Sequence, residues 1–201
     1  NVPLAYAQPS PDVRMPVQLV LRPTDQFRGY AGQLISGSVK RGDELTILPS
    51  GKKARVQSIL FDQKEQESAH QGQPLVITLD QAVDVSRGDM FVAGTSPNVS
   101  QELNATLCWM SEEPLEKNRT YRIKHTTKTV HGFVKAFIHK INIENFAEEK
   151  TETLGLNDIG TVAIKMHEPL IVTPYQANRT TGSFIVIDEF TNNTVAAGMV
   201  V

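Results

Sequence analysis

The stretch from Gly32 to Gly51, GQLISGSVKRGDELTILPSG, holds the residues whose types and spacing come closest to a phosphate-binding loop. Such a loop needs two glycines five residues apart, followed by Lys and then Ser or Thr, because backbone amides cradle the phosphates while the lysine neutralises them. Gly37 and Gly42 have this spacing, but Asp43 and Glu44 follow them, and two carboxylates there would repel a phosphate group. The stretch therefore predicts turns between strands and no nucleotide site.

The histidines and the cysteine of the sequence do not predict a metal site or a catalytic nucleophile either. His131 and His139 would point the same way on one strand, but at about 3.3 Å per residue they would lie about 26 Å apart, too far to share a metal ion. The single cysteine, Cys108, lies in the apolar run LCWM, which is typical of a buried and inert thiol. The sequence predicts no catalytic, cofactor-binding or metal-ligating residue, and indicates a scaffold or an interaction module.

The composition narrows the possible partners and the compartment. The 201 residues include 20 Lys and Arg against 22 Asp and Glu, and neither half of the chain carries the basic excess that nucleic-acid binding requires. One cysteine cannot form an internal disulfide, which indicates a reducing compartment and predicts a cytoplasmic location. No run approaches the roughly 18 apolar residues of a membrane span. We expect neither a nucleic-acid partner nor a membrane partner.

The tripeptide Arg-Gly-Asp occurs twice, at residues 41–43 and 87–89. It could be an adhesion motif in an exposed extracellular loop, or a turn in which Gly supplies a positive φ and Asp bonds the backbone. Each copy precedes an apolar strand, which favours the turn.

Apolar residues alternate along most of the chain, as in strands with one buried face. Met15, Val17, Leu19 and Leu21 are expected to share one face of a strand, and the polar run 63–72 to form at most a helical turn. Many short strands separated by turn residues indicate an all-β protein of barrels or sandwiches. The polar segment 94–101, which contains a proline, is the best boundary between two strand-rich halves.

The segment 27–59, FRGYAGQLISGSVKRGDELTILPSGKKARVQSI, resembles the second domain of elongation-factor-Tu-type GTPases. More narrowly, the chain is similar to the large, GTPase-bearing subunits of two-subunit bacterial ATP sulfurylases. That likeness rests on WMSEEPL (109–115), YRIKHTTKTV (121–130) and, above all, EPLIVTPYQANRTTGSFIVIDEFTNNTVAAGMV (168–200).

The resemblance implies two consecutive antiparallel β-barrels of the elongation-factor-Tu domain II and domain III type. We expect a linker from a missing GTPase domain at residues 1–13, barrel domain II at 14–97 and barrel domain III at 98–201. Neither a phosphate loop, nor D-x-x-G, nor N-K-x-D occurs in the sequence. GTP and Mg would therefore bind in the missing domain of the parent, and this fragment would hold no cofactor and would not be an enzyme.

The resemblance also implies partners and a role. They are the small catalytic subunit of ATP sulfurylase, which makes adenylyl sulfate and pyrophosphate from ATP and sulfate, and the chain's own GTPase domain, whose GTP hydrolysis drives that step. Arg28, Tyr30, Lys52 and Lys53 are candidate interface residues, although Tyr30 could instead pack in the barrel and the lysines could merely be solvated. The alternative is a translational barrel pair that binds aminoacyl-tRNA, which the even charge and low aromatic content disfavour.

Overall fold

The computed structural model of this chain describes residues 11–62 and 64–201. The chain divides into two compact units, residues 1–96 and 97–201. In the described ranges every regular element is a strand. No helix in these ranges has the length and apolar character needed to cross a membrane. The linker expected at residues 1–13 lies, for residues 1–10, outside the described residues, and Val13 already belongs to the first strand.

The first unit is a closed antiparallel barrel of six strands in the order β4-β9-β1-β2-β8-β5, and the pairing of β5 with β4 closes it. A short strand, β6, pairs antiparallel with the end of β5, while β3 and β7 form a separate two-stranded sheet. The strands are β1 (Val13–Thr24), β2 (Phe27–Gln33), β3 (Ser38–Lys40), β4 (Glu44–Leu48), β5 (Lys52–Phe61), β6 (Lys64–Gln66), β7 (Ser68–His70), β8 (Pro74–Leu79) and β9 (Met90–Ala93).

The second unit is a closed antiparallel barrel in the order β11-β15-β16-β10-β14-β12, with β12 pairing back to β11. The two-residue β13 pairs with the end of β12. The strands are β10 (Asn98–Trp109), β11 (Thr120–His125), β12 (Lys128–Ile141), β13 (Glu148–Glu149), β14 (Ile159–Val172), β15 (Ser183–Ile187) and β16 (Thr194–Val200). The predicted fold class, two antiparallel β-barrels, is confirmed.

Each barrel encloses its own core, with one aromatic pair in each. Tyr30 and Phe91 meet edge to face at 5.5 Å between ring centroids in the first barrel. Trp109 and Tyr121 do so at 5.8 Å in the second, where the Trp109 Nε1 donates to the Glu113 carbonyl at 2.8 Å. Burial of each large apolar side chain stabilises a barrel by about 1.5–3 kcal/mol, so these closed cores hold the strands rigidly.

Strict alternation predicted the wrong face for part of β1. Met15 and Val17 are fully buried as expected, but Leu19 is 54% exposed. The cause is a register shift against β2 between Val17 and Leu19, since one extra residue in a strand moves every later side chain to the opposite face. Val20 packs against the core in place of Leu19.

The polar run 63–72 also differs from its expected helical turn. Within the described part of this run, residues 64–66 form β6 and residues 68–70 form β7. These strands pair with β5 and β3, so partners elsewhere in the barrel decide the local conformation.

Both Arg-Gly-Asp tripeptides form the same turn. In each copy, the backbone N–H three residues before the aspartate donates to its Oδ2 at 2.8 Å. The glycines at 42 and 88 have φ of 87° and 95°, and β4 or β9 begins directly after the aspartate. The turn interpretation is confirmed. A third turn of the same kind, residues 155–158, places Asn157 at φ 65° and precedes β14.

Candidate partner interface

Tyr30, one of the four candidate interface residues, lies on β2 and is only 1% exposed. Its hydroxyl donates to the Val83 carbonyl at 3.1 Å, and burial raises the pKa of Tyr30. Its ring packs on Phe91 inside the barrel. The side chain therefore packs inside the barrel, as the alternative interpretation of Tyr30 expected, and it supports its neighbour Arg28 from below.

Arg28 projects over that ring, with its guanidinium carbon 5.6 Å from the Tyr30 ring centroid. It lines a cleft of about 780 Å³ between the strands of the first barrel. The Arg28 Nη2 lies 3.8 Å from Asp84 Oδ1, a long and exposed ion pair, and among the described residues its buried Nε has no hydrogen-bond partner. Because the ion pair is long and the side chain is 27% exposed, the outer nitrogens of the guanidinium keep hydrogen-bonding capacity for a carboxylate, a phosphate or a backbone carbonyl.

The cleft around Arg28 carries balanced charge. Two further arginines line it, Arg22 and Arg41, together with Asp25, Glu65 and Asp80. An even mixture of signs, on a lining that also includes apolar side chains such as Phe27 and Leu60, suits a protein segment of mixed charge better than a polyanion. Sequence reasoning missed Arg22 as part of this site, because β1 and β2 are brought together only by the register of their pairing.

Lys52 and Lys53 begin β5, directly after the β4–β5 turn, and both are exposed. Lys53 Nζ donates to Glu44 Oε1 at 2.9 Å, a hydrogen bond that lowers the pKa of Glu44. The Lys53 carbonyl accepts from Gln81 Nε2 at 2.8 Å, and Gln81 lines the cleft that Arg28 also lines. The structure therefore links the Lys53 backbone to the Arg28 cleft through Gln81, while neither lysine side chain lines the cleft.

The glycine-containing stretch at residues 32–51 does not have the geometry of a phosphate-binding loop. Gly32 lies inside β2, where a Cβ would come within 2.3 Å of the Pro16 carbonyl oxygen. Gly37 and Gly51 take positive φ of 77° and 72° at turns, and the short strand β3 follows Gly37 where a phosphate loop opens a helix. These glycines permit close strand approach and tight turns.

Two of the histidines are neighbours, since the ring centroids of His131 and His167 are 6.4 Å apart. His125 is 1% exposed, its Nε2 is 2.9 Å from the Thr181 carbonyl, and burial lowers its pKa. His131 Nε2 lies 3.3 Å from Glu189, and His139 Nδ1 lies 3.5 Å from Glu148. Within the ranges 11–62 and 64–201, no three His, Cys, Asp or Glu side chains gather as metal ligands would. Cys108 is half-buried on β10, less enclosed than its apolar run suggested.

Sequence reasoning also missed the buried carboxylate of Asp188, which is 5% exposed. Its Oδ2 accepts from Arg119 Nη2 at 2.6 Å, and its Oδ1 accepts from the backbone N–H groups of Phe190 and Thr191. The hydrogen bonds from Thr191 are the first reason that the pKa of Asp188 lies below its usual value. An aspartate three residues before Thr-Asn-Asn was the available signal, because Asp caps turns two or three residues onward.

These two barrels are of the kind found in elongation-factor-type GTPases. Solved structures of sup35 complexed with GDP and with GMPPNP match with TM-scores of 0.85 and 0.84, at 16% identity, over 94% of this chain and 47% of theirs. That likeness establishes the fold alone. Residues 102–201 match the family described as GTP-eEF1A C-terminal domain-like.

Curated proteins with higher sequence identity belong to a more specific class than these structures do. Sulfate adenylyltransferase subunit 1 from Alteromonas mediterranea is 44% identical over 191 residues, which cover 94% of this chain and 41% of that protein. The subunit 1 protein from Francisella tularensis subsp. novicida is 44% identical over 100% of this chain and 43% of its own length. The bifunctional enzyme CysN/CysC from Rhodopirellula baltica is 40% identical over 94% of this chain and 29% of its own length.

The chain is therefore homologous to part of sulfate adenylyltransferase subunit 1, and it spans about 41% of the length of the first of these relatives. The resemblance noted in the sequence is confirmed.

Proposed function

We propose that this chain is a non-catalytic barrel region of sulfate adenylyltransferase subunit 1. In that role it couples GTP hydrolysis in a GTPase domain to the reaction of ATP and sulfate that yields adenylyl sulfate and pyrophosphate on the small subunit. The observation that carries this proposal is 44% identity to subunit 1 proteins along 94% or more of the chain. The chain would act in the cytoplasm, where its single cysteine stays reduced.

The closed barrels suit this coupling role because each is a stiff body with its own buried core. A stiff body can turn a nucleotide-dependent shift at one surface into a changed contact at another. GTP and Mg²⁺ would be held by the GTPase domain, since the glycines of this chain lie in strands and strand turns. In this proposal the barrels bind the small subunit and position it relative to the GTPase domain. The chemical steps take place on the GTPase domain and the small subunit.

The rim of the Arg28 cleft is one proposed contact surface. Arg28 lines it, Tyr30 fixes the wall from within, and the Lys53 backbone is joined to it through Gln81. Lys52 precedes Lys53 on β5 and has no ion-pair partner among the described residues. Mixed charge at this rim favours orientation and specificity of docking over raw affinity.

Calorimetric titration of the 201-residue chain with the purified small subunit tests the proposal, with aminoacyl-tRNA titrated in parallel. We expect binding to the subunit and none to the tRNA. The triple substitution Arg28→Ala, Lys52→Ala and Lys53→Ala should weaken subunit binding, while Lys64→Ala, an exposed lysine on β6, serves as control. Binding to tRNA alone, with the steep salt dependence of phosphate contacts, would instead support a translational role.

The same preparation is expected neither to bind nor to hydrolyse GTP, and to form no adenylyl sulfate. The reason is that the residues between Gly32 and Gly51 have no phosphate-binding geometry. Release of phosphate from GTP by the pure chain, above a boiled control, would contradict the non-catalytic assignment.

A further inference from the structure

The topology of the second barrel gathers three loops at one end. β10, β12 and β15 end there, and β11, β14 and β16 begin there, as the antiparallel pairs Cys108 with Ile159, Ile141 with Ile159, and Trp109 with Ala196 require. The connecting segments are residues 110–119, 142–158 and 188–193. We call these three segments the acidic end.

The acidic end exposes large apolar side chains to solvent. Phe146 is 81% exposed and Phe190 is 82% exposed, more than any other large hydrophobic residue in the described ranges. Three further side chains of these loops are also exposed, namely Met110 at 43%, Ile143 at 67% and Leu156 at 50%. Several large apolar side chains at one end of a domain are typical of a contact surface, since scattered single ones are normal but groups are not.

The loop that carries Phe146 holds this residue in a fixed place. The Asn142 N–H donates to the Ala147 carbonyl at 2.9 Å, and the Phe146 N–H donates to the Asn142 carbonyl at 2.8 Å. The Asn142 Oδ1 also accepts from the Glu144 N–H at 2.9 Å. Phe146 itself has a φ of 59°, which a bulky residue rarely adopts. The loop is thus ordered with its phenylalanine outward, and little conformational entropy remains to be lost on binding.

The loop that carries Phe190 is fixed by a different device. Its backbone N–H donates to Asp188 Oδ1 at 3.0 Å, and the Asp188 carboxylate is anchored in turn by Arg119. Two unrelated hydrogen-bond arrangements therefore present the two most exposed phenylalanines at the same end of one barrel.

Charge identifies the kind of surface that fits the acidic end. Its three loops contain ten Asp and Glu residues against three Lys and Arg residues. Of the ten, Asp188 is buried against Arg119 and Asp158 lies 3.4 Å from Lys140 of β12, which leaves most of the carboxylates at the surface. The rest of the second unit has two acidic residues, Glu102 and Glu168, against seven basic ones. Phosphate backbones and anionic headgroups would be repelled by such a surface, whereas a protein surface rich in Lys and Arg would be attracted to it.

We propose that the acidic end docks the small subunit of ATP sulfurylase, through a surface of that subunit where Lys and Arg surround an apolar pocket. Phe146 and Phe190 enter the pocket as anchors, and the surrounding carboxylates set orientation and speed of association. The assignment of this partner rests on the proposed function, while the chemistry of the surface rests on the structure.

The first test compares Phe146→Ala, Phe190→Ala and the double variant in calorimetric titration with the small subunit. We expect each single change to raise the Kd about 10-fold or more, as for anchoring aromatics. Leu19→Ala, an equally apolar but unrelated exposed site on β1, should change the Kd less than about 2-fold. Both phenylalanines are exposed, so circular dichroism of the variants should match the unchanged chain.

The second test concerns the charge. Glu144→Lys with Glu152→Lys should slow association and flatten its dependence on salt, because attraction to a basic partner is lost. Glu168→Lys, on β14 outside the three loops, is the control and should leave the salt dependence unchanged.

The outcomes separate the two proposals. If the unchanged chain does not bind the small subunit, both the partner assignment and this docking surface are wrong. If it binds and the phenylalanine and glutamate variants bind equally well, the proposed function stands and docking at the acidic end is wrong. If sedimentation shows that the chain dimerises through Phe146 and Phe190, the occupant is a second copy and the proposal is overturned.

Discussion

Two buried side chains in this protein hold exposed neighbours in place. Tyr30 lies in the core, yet its ring supports the Arg28 guanidinium at the cleft. Asp188 is buried, yet it holds the backbone that presents Phe190. A change at such a residue therefore alters stability and the neighbouring surface together.

Tyr30 allows the two effects to be separated. Tyr30→Phe should lower the free energy of unfolding by about 1 kcal/mol, because the buried Val83 carbonyl loses its donor. Tyr30→Ala should lower it by about 3–5 kcal/mol through loss of core packing. Urea unfolding measures both, and Arg28→Ala, with its long and exposed ion pair, should cost less than about 1 kcal/mol. A Tyr30→Ala variant as stable as the unchanged chain would show that the ring is not part of the core.

His125 makes the second barrel sensitive to mild acid. Burial holds its pKa in the folded state below the value of about 6.5 for an unfolded chain, so the unfolded state binds the proton more readily. The stabilisation is fully present above about pH 6.5 and is lost as the pH falls below it, by at most about 1.4 kcal/mol per pH unit until the folded pKa is passed.

Urea unfolding between about pH 5 and pH 7.5 measures this dependence. His125→Gln retains a donor for the Thr181 carbonyl but does not titrate, so its stability should vary less over the same range. Equal pH dependence in the two proteins would exclude His125 as the cause.

At the scale of elements, β-bulges and Gly-Asp turns shape the barrels. On β5 the register shift between Val56 and Ser58 buries Ile59 completely and leaves Leu60 half-buried, the same inversion as on β1. Such shifts bend a strand, and bending is what closes a small sheet into a barrel. The turns at 40–43, 86–89 and 155–158 each start the strand that follows them.

The turn at Gly42 offers a clean test of backbone strain. A Cβ at Gly42 would meet nothing within 4 Å, so only its φ of 87° opposes a side chain. Gly42→Ala should therefore cost about 1–2 kcal/mol of stability, and Gly42→Asn less, since Asn tolerates this conformation. Gly155 provides the control, because it lacks a positive φ and a Cβ there would meet only Asp158 Oδ2, at an ordinary contact distance of 3.6 Å. Gly155→Ala should therefore be nearly neutral in thermal unfolding.

At the scale of the whole molecule, each unit contains a complete barrel and a complete core. A fragment of residues 97–201 is therefore expected to fold alone, with a single cooperative urea transition and the acid sensitivity of His125. Denaturant unfolding and amide proton dispersion in NMR spectra measure this. A fragment without cooperative unfolding would show that the second barrel needs the first.

Local chemistry in the sequence was enough for the all-β class and for the turns. Period-two alternation marks strands wherever they pair, and a Gly-Asp turn is closed by hydrogen bonds within four residues. The prediction of no phosphate loop in this stretch rests on the residues after each glycine pair, Ser38 and Val39 after Gly37, and Asp43 and Glu44 after Gly42. The similarity to subunit 1 proteins could also be recognised in the sequence, above all in residues 168–200.

The tertiary structure alone decided which faces are buried and which residues meet. Leu19 turns outward because β1 shifts register against β2, and no local pattern contains that shift. Arg119 reaches Asp188 across 69 residues, and three loops far apart in sequence meet at one end because the barrel closes. Barrel closure and strand register depend on pairings between distant segments, so they lie beyond the few residues over which hydrophobic periodicity and turn chemistry act.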